Sequence, residues 1–178
     1  MQKEIASRAK HRHCRRFVVS GLFDGVRTFA ELETRIAGLP AKQDEGDAFE
    51  VFAEAYLATQ KLVGAEEVWP IGQVPSAVLQ ACRLPLNDMG ADGVYQTNAG
   101  QYNAYQSKFR TGRAALGWLE LSTFMGLTDQ VGERVLFTNS DDLPSVMDDR
   151  SNFFCVRGSD LDRLTRDDLC PSRNAGWL

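Results

Sequence analysis

The chain has 178 residues, with the apolar and charged fractions of an ordinary soluble protein, enough for one domain with a substantial core. Its formal charge of −4 argues against a protein that grips nucleic acid by a large basic surface alone, although carboxylates gathered for a divalent metal make a site acidic before the metal arrives. No apolar run approaches the roughly 18 to 20 residues of a membrane span, and the start, MQKEIASRAKHRHCRR, lacks the apolar stretch of a secretory signal, so a soluble, cytoplasmic protein is expected.

In chain order, the first feature is a basic run, Arg8, Lys10, Arg12, Arg15 and Arg16, which suits either a solvated face or phosphate. His11, His13 and Cys14 lie within it, but no second ligand pair follows at the distance a zinc site needs. Cys14, Cys82, Cys155 and Cys170 are too scattered for a disulfide scaffold and are read as reduced thiols. Thr28 to Leu39 reads as a helix, with a capping box at Thr28-Phe-Ala-Glu31 and a stop at Gly38 and Pro40. After a loop holding Lys42, Asp44 and Gly46, the segment from Asp47 to about Leu62 places Phe49, Phe52, Ala53, Tyr56 and Leu57 on one helical stripe.

Glu66 to Trp69 is a short strand and Pro75 to Cys82 a short helix. Val94 to Gln96 and Tyr102 to Phe109 read as a hairpin around Asn98-Ala-Gly-Gln101. Helical pattern returns from Thr111 to Gly126, followed by a buried strand at Arg134 to Thr138, a helical turn at Leu143 to Asp148 and a strand at Asn152 to Val156. The order describes an α/β protein, a mixed sheet flanked by helices. Residues 1–45 are expected to be a basic segment and first helix packed on the core, 46–157 the core itself, and 158–178 a polar tail or linker.

The chemistry concentrates in the hairpin. A strand period of two points Gln106 and Lys108 to the same side, and Asp92 sits at the start of the preceding strand. With a three-residue loop, Thr97 pairs with Gln101 and Asp92 falls opposite Gln106; a two- or four-residue loop puts Asp92 opposite Ser107 instead. A lysine in such a strand is costly to bury without an anionic partner, although solvated polar residues on an exposed strand face need no function. Lys108, Arg110 and Arg113 form a second basic run, and Arg110 and Arg113 are candidate phosphate contacts.

Gly90-Ala-Asp92-Gly-Val, then Gln106-Ser-Lys108, preceded by Gly46-Asp-Ala-Phe49-Glu50 on a helix, resembles the restriction-endonuclease-like superfamily, the PD-(D/E)xK nucleases. The resemblance covers roughly Gly46 to Val156. It is nearest the Mrr-like branch, which includes N-terminal nuclease modules of restriction enzymes with helicase motors and carries Gln at the second acidic position. It implies a core of αβββαβ type and a metal-dependent endonuclease acting on DNA in a restriction or phage-defence system, beside a helicase or translocase module. Asp92 and Gln106 would then offer oxygen ligands to Mg2+, with Mn2+ able to substitute, and the ion would acidify a water and neutralise phosphate charge. Lys108 would orient that water or steady the developing charge. The Ser107 carbonyl is an implied further ligand, and the Phe-Glu pattern implies Glu50 as a metal-site carboxylate reaching across from the helix. Glu54 is assigned to the wet face. The rival class is a nuclease fold that binds DNA or protein without cutting; a junction resolvase would share the same site chemistry.

Overall fold

Alternating burial along the strands sets the architecture. The computed structural model describes residues 9–60, 63–85 and 90–169. Five strands, β1 (Ala65–Pro70), β2 (Gly93–Thr97), β3 (Tyr102–Lys108), β4 (Arg134–Thr138) and β5 (Phe153–Val156), form one sheet in the order β1-β2-β3-β4-β5. The pairs β1/β2 and β2/β3 are antiparallel, while β3/β4 and β4/β5 are parallel. A parallel neighbour needs a long crossover, and β3 reaches β4 through the helix at Trp118–Leu127.

Each face of the sheet carries its own core. Val68, Tyr95, Tyr105, Val135 and Phe137 pack against three helices, α1 (Cys14–Val19), α2 (Phe29–Ala37) and α3 (Lys42–Thr59). Their odd-even neighbours Val94, Ala104 and Leu136 pack against α4 (Ser76–Cys82) and α5 (Trp118–Leu127) on the other face. The period-two side-chain geometry of a strand produces this division. In the first layer Phe29, Phe49 and Phe52 form a tilted aromatic cluster with ring centroids 5.6 to 6.4 Å apart. Burying such a ring stabilises the fold by about 2–3 kcal/mol.

Several bounds differ from the pattern-based expectation. The Thr28 hydroxyl does cap α2, accepting the Glu31 N–H at 3.3 Å. α3 begins at Lys42 rather than Asp47, because Asp44 and Glu45 suit the positive end of a helix and the chain needs no loop there. α5 begins at Trp118 rather than Thr111. Gly112 (φ 66°) and Arg113 (φ 54°) turn left-handed, and the Leu116 N–H is taken by the Asp142 carbonyl at 3.1 Å, so the helix cannot start earlier. Instead Gly117 precedes the first turn, and its N–H donates to the Glu120 carboxylate at 2.8 Å.

The sequence pattern gave no sign of α1, α6 (Gly158–Leu161) or α7 (Arg166–Leu169). Leu161 and Leu169 belong to the first core cluster, so residues 158–169 pack on the domain rather than leave it. Arg8, the predicted end of α3 at Lys61-Leu62, Cys170 and the tail over 170–178 lie outside the described residues. No helix among the described residues is long and apolar enough to cross a membrane.

Candidate active site

The hairpin loop has three residues. The Thr97 N–H bonds to the Gln101 carbonyl at 2.9 Å, and the register runs Gln96 to Tyr102, Val94 to Ala104, Gly93 to Tyr105. Asp92 therefore falls opposite Gln106, one step beyond the last paired residues. Its backbone is pinned on both sides: its N–H donates to the Tyr105 carbonyl at 2.9 Å, and its carbonyl accepts the Ile71 N–H at 2.8 Å. The next residue has to be glycine. A Cβ on Gly93 would sit 2.3 Å from the Trp69 carbonyl oxygen and 2.4 Å from the Tyr105 ring, which lies across it.

The nearest polar partner of Asp92 is Ser107 rather than Gln106. Both the Ser107 backbone N–H (2.6 Å) and its hydroxyl (2.9 Å) donate to Asp92 Oδ2. Gln106 turns its Nε2 to the Gly90 carbonyl at 2.5 Å, which fixes the amide orientation and leaves Oε1 buried with no hydrogen-bond partner among the described residues. A buried, unsatisfied carbonyl costs on the order of 1–3 kcal/mol, so this oxygen calls for a partner such as a water or an ion. Lys108 is half-buried, and its side chain makes no hydrogen bond or ion pair among the described residues.

Asp92 keeps some solvent exposure as a residue, but protein surrounds its carboxylate. That enclosure, with the neighbouring Glu50 charge, pushes its pKa up to about 7 against the opposing effects of Ser107 and Lys108. The same influences place Glu50 and Lys108 within electrostatic reach of Asp92. Glu50 comes from α3, while Ser107 and Lys108 come from the end of β3. All three line one cleft of about 470 Å³ with Lys42, Arg110 and Thr111. Lys42 bridges to Glu45 and Thr111, and the Thr111 hydroxyl donates to Glu45 at 3.0 Å, which ties the start of α3 to the loop after β3.

The two candidate phosphate arginines differ. Arg110 lines the cleft and pairs with Glu120, while its backbone is clamped by the buried Asn139 side chain, which accepts from the Arg110 N–H at 2.6 Å and donates to its carbonyl at 2.7 Å. Arg113 is held from two sides, by Glu33 at 2.8 Å and Asp162 at 2.7 Å. Its guanidinium ties α2 to the segment at α6.

The N-terminal basic run also turns inward. Asp44, Asp47, Glu50 and Glu54 follow one face of α3, and the chain from Lys10 to Arg16 lies along it. Arg16 pairs with Asp44 at 2.5 Å, His13 approaches Asp47 at 3.5 Å, and His11 Nε2 lies 3.1 Å from Glu50. Glu54 is 1% exposed, not on the wet face, and accepts the backbone N–H groups of Lys10 and His11. Sequence reasoning noticed His11 but missed its setting, because the partners lie about forty residues away on α3. The heptad-like acidic spacing of Asp47, Glu50 and Glu54 was the available signal.

An α/β fold with a five-stranded mixed sheet flanked by helices, and an acidic-basic cleft at the end of its central strand, is thus established. No family model matches the chain, and no curated protein matches it. Among solved structures, the ATP-dependent Type ISP restriction-modification enzyme LlaBIII bound to DNA shares this fold, with a TM-score of 0.58 and 22% sequence identity over 78% of this chain. The match spans only 8% of that enzyme's length.

Proposed function

We propose that the chain is a metal-dependent DNA nuclease domain of the restriction-endonuclease-like, PD-(D/E)xK type in its Mrr-like form, the cleavage module of a restriction or other defence system. The observation that carries this reading is the unpartnered Gln106 Oε1, held by the Gly90 bond on the residue opposite Asp92. The donor set suits a hard divalent ion, since Asp92 and Glu50 supply anionic oxygens while Gln106 Oε1 and the Ser107 carbonyl supply neutral ones. Those residues would hold Mg2+, with Mn2+ able to replace it. The ion, when bound, neutralises phosphate charge and makes a water more acidic.

The remaining work falls to the chain's own groups. Ser107 fixes Asp92 through two hydrogen bonds to one oxygen, so the carboxylate does not have to be ordered when DNA arrives. Asp92 gives up the proton that burial favours before it can act as an anionic ligand. Lys108, unpaired among the described residues, donates from Nζ to the attacking water or to a non-bridging phosphate oxygen. Arg110, in the cleft wall, is the better phosphate contact, because Arg113 is held by Glu33 and Asp162.

The acidic chain gives DNA little general attraction, and Lys10 and Arg16 are paired within the domain. A helicase or translocase partner would supply grip and target choice. The likeness to part of a DNA-bound, ATP-dependent restriction enzyme supports this arrangement. The test is incubation of the chain with supercoiled plasmid and with linear single- and double-stranded DNA, in Mg2+ and in chelator. Cleavage only with the ion is expected, and intact DNA under every ion condition, with a well-folded chain, overturns the reading.

A further inference from the structure

We propose that His11 is a positioning residue for Glu50: a strap formed by residues 9–13 is fastened to α3 by the buried Glu54 and holds the Nε2 edge of the His11 ring against the Glu50 carboxylate. This rests on reading Glu50 as part of the metal site.

The fastening is specific. Glu54 Oε1 accepts the Lys10 N–H at 2.6 Å and Oε2 accepts the His11 N–H at 3.0 Å, so both oxygens of one buried carboxylate are used on two successive backbone groups. Charge-assisted bonds of this kind are about twice as strong as neutral ones. Glu50 lies one helical turn before Glu54 on the same face. A strap anchored at Glu54 therefore delivers the next side chain, His11, to Glu50. The His11 imidazole is 9% exposed, with Nε2 3.1 Å from Glu50 Oε2.

The other ring nitrogen decides what His11 does there. His11 Nδ1 accepts the backbone N–H of His13 at 3.3 Å. In the neutral ring the proton then sits on Nε2, facing Glu50. The ligand atoms of His11, Asp47 and Glu50 lie within 4.8 Å of one another, close enough to share an ion. An ion on Nε2 would move the proton to Nδ1 and set it against the His13 N–H, two donors face to face. Asp47 is also engaged, accepting from Gln43 Nε2 at 2.9 Å. The Nδ1 bond to His13 favours a ring that steadies Glu50 by contact over one that ligates an ion.

Loss of such an outer contact weakens metal binding by roughly tenfold or more. Glutamine places an amide N–H near the position of the histidine Nε2–H, so it is the conservative replacement. The experiment has two arms. The first is long-range nitrogen-15 NMR of the two histidines in the parent chain, which needs no variant. The second is Mn2+ affinity by electron paramagnetic resonance for the parent, His11→Ala and His11→Gln. The Nε2–H tautomer at His11, with affinity lowered roughly tenfold in His11→Ala and restored in His11→Gln, is expected. The Nδ1–H tautomer, direct Mn2+ ligation by His11, or parental affinity in His11→Ala overturns the proposal. Mn2+ binding that follows this pattern without any DNA cleavage overturns the nuclease reading and leaves the role of His11 standing. Ion-dependent cleavage with parental Mn2+ affinity in His11→Ala does the reverse.

Discussion

The carboxyl of Asp92 keeps its proton up to about pH 7 because protein encloses it and the Glu50 charge lies nearby. An unfolded chain releases the same proton near pH 4. Between those values the folded state binds more protons than the unfolded one, so this residue's contribution to stability falls as pH rises through the window. An ion that binds only the ionised, folded site reverses the loss by mass action. Millimolar Mg2+ should therefore raise the melting temperature more at about pH 8 than at about pH 5, and the difference should vanish in Asp92→Asn. Equal shifts at both pH values would contradict this account of Asp92. Arg113 carries the opposite kind of chemistry, a structural clamp between Glu33 and Asp162. Arg113→Met should cost about 1–2 kcal/mol in denaturant unfolding, the lower end reflecting the exposed Asp162 partner. It should leave cleavage by the folded protein within a few-fold of the parent; a large drop in rate without loss of stability would make Arg113 a phosphate contact instead.

At the level of elements, β2 and β3 set the site, and their contact depends on one missing side chain. Gly93→Ala would drive a methyl into the Trp69 carbonyl and the Tyr105 ring, a forced overpacking that costs about 3 kcal/mol or more. Urea unfolding measures it, and a change below about 1 kcal/mol would show that the ring has room to move. The hairpin was legible in the sequence, because alternation along Tyr102–Lys108 and turn residues at Asn98-Ala-Gly set both strands, and the loop length then set the pairing. The aromatic stripe of α3 was equally legible. The late start of α5 was not, since it depends on a hydrogen bond from Leu116 to Asp142 across the fold. Nor was the burial of Glu54, an unfavourable place for a carboxylate until the backbone of Lys10 and His11 is brought to it from far along the chain. At the site, residue types pointed to Asp92, Gln106 and Lys108, and the family resemblance to Glu50. Only coordinates reveal that Ser107 bonds Asp92 directly and that Gln106 holds an oxygen without a partner.

The whole molecule joins these parts through its two layers. α1, α2 and α3 share a core with the described C-terminal helices, while α4 and α5 close the other face. The cleft opens where β3 ends, between α3 and the loop that leads to α5. Glu50 of α3 and Lys108 of β3 both line it, and the proposed function assigns them to a metal-assisted attack on phosphate. The central claim is that this arrangement hydrolyses DNA through Lys108. Its most direct test compares plasmid cleavage in Mg2+ by the parent chain and by Lys108→Ala, with matched melting curves. The account predicts a rate lower by about a hundredfold or more in the variant at unchanged stability. Equal cleavage by the two proteins would contradict it.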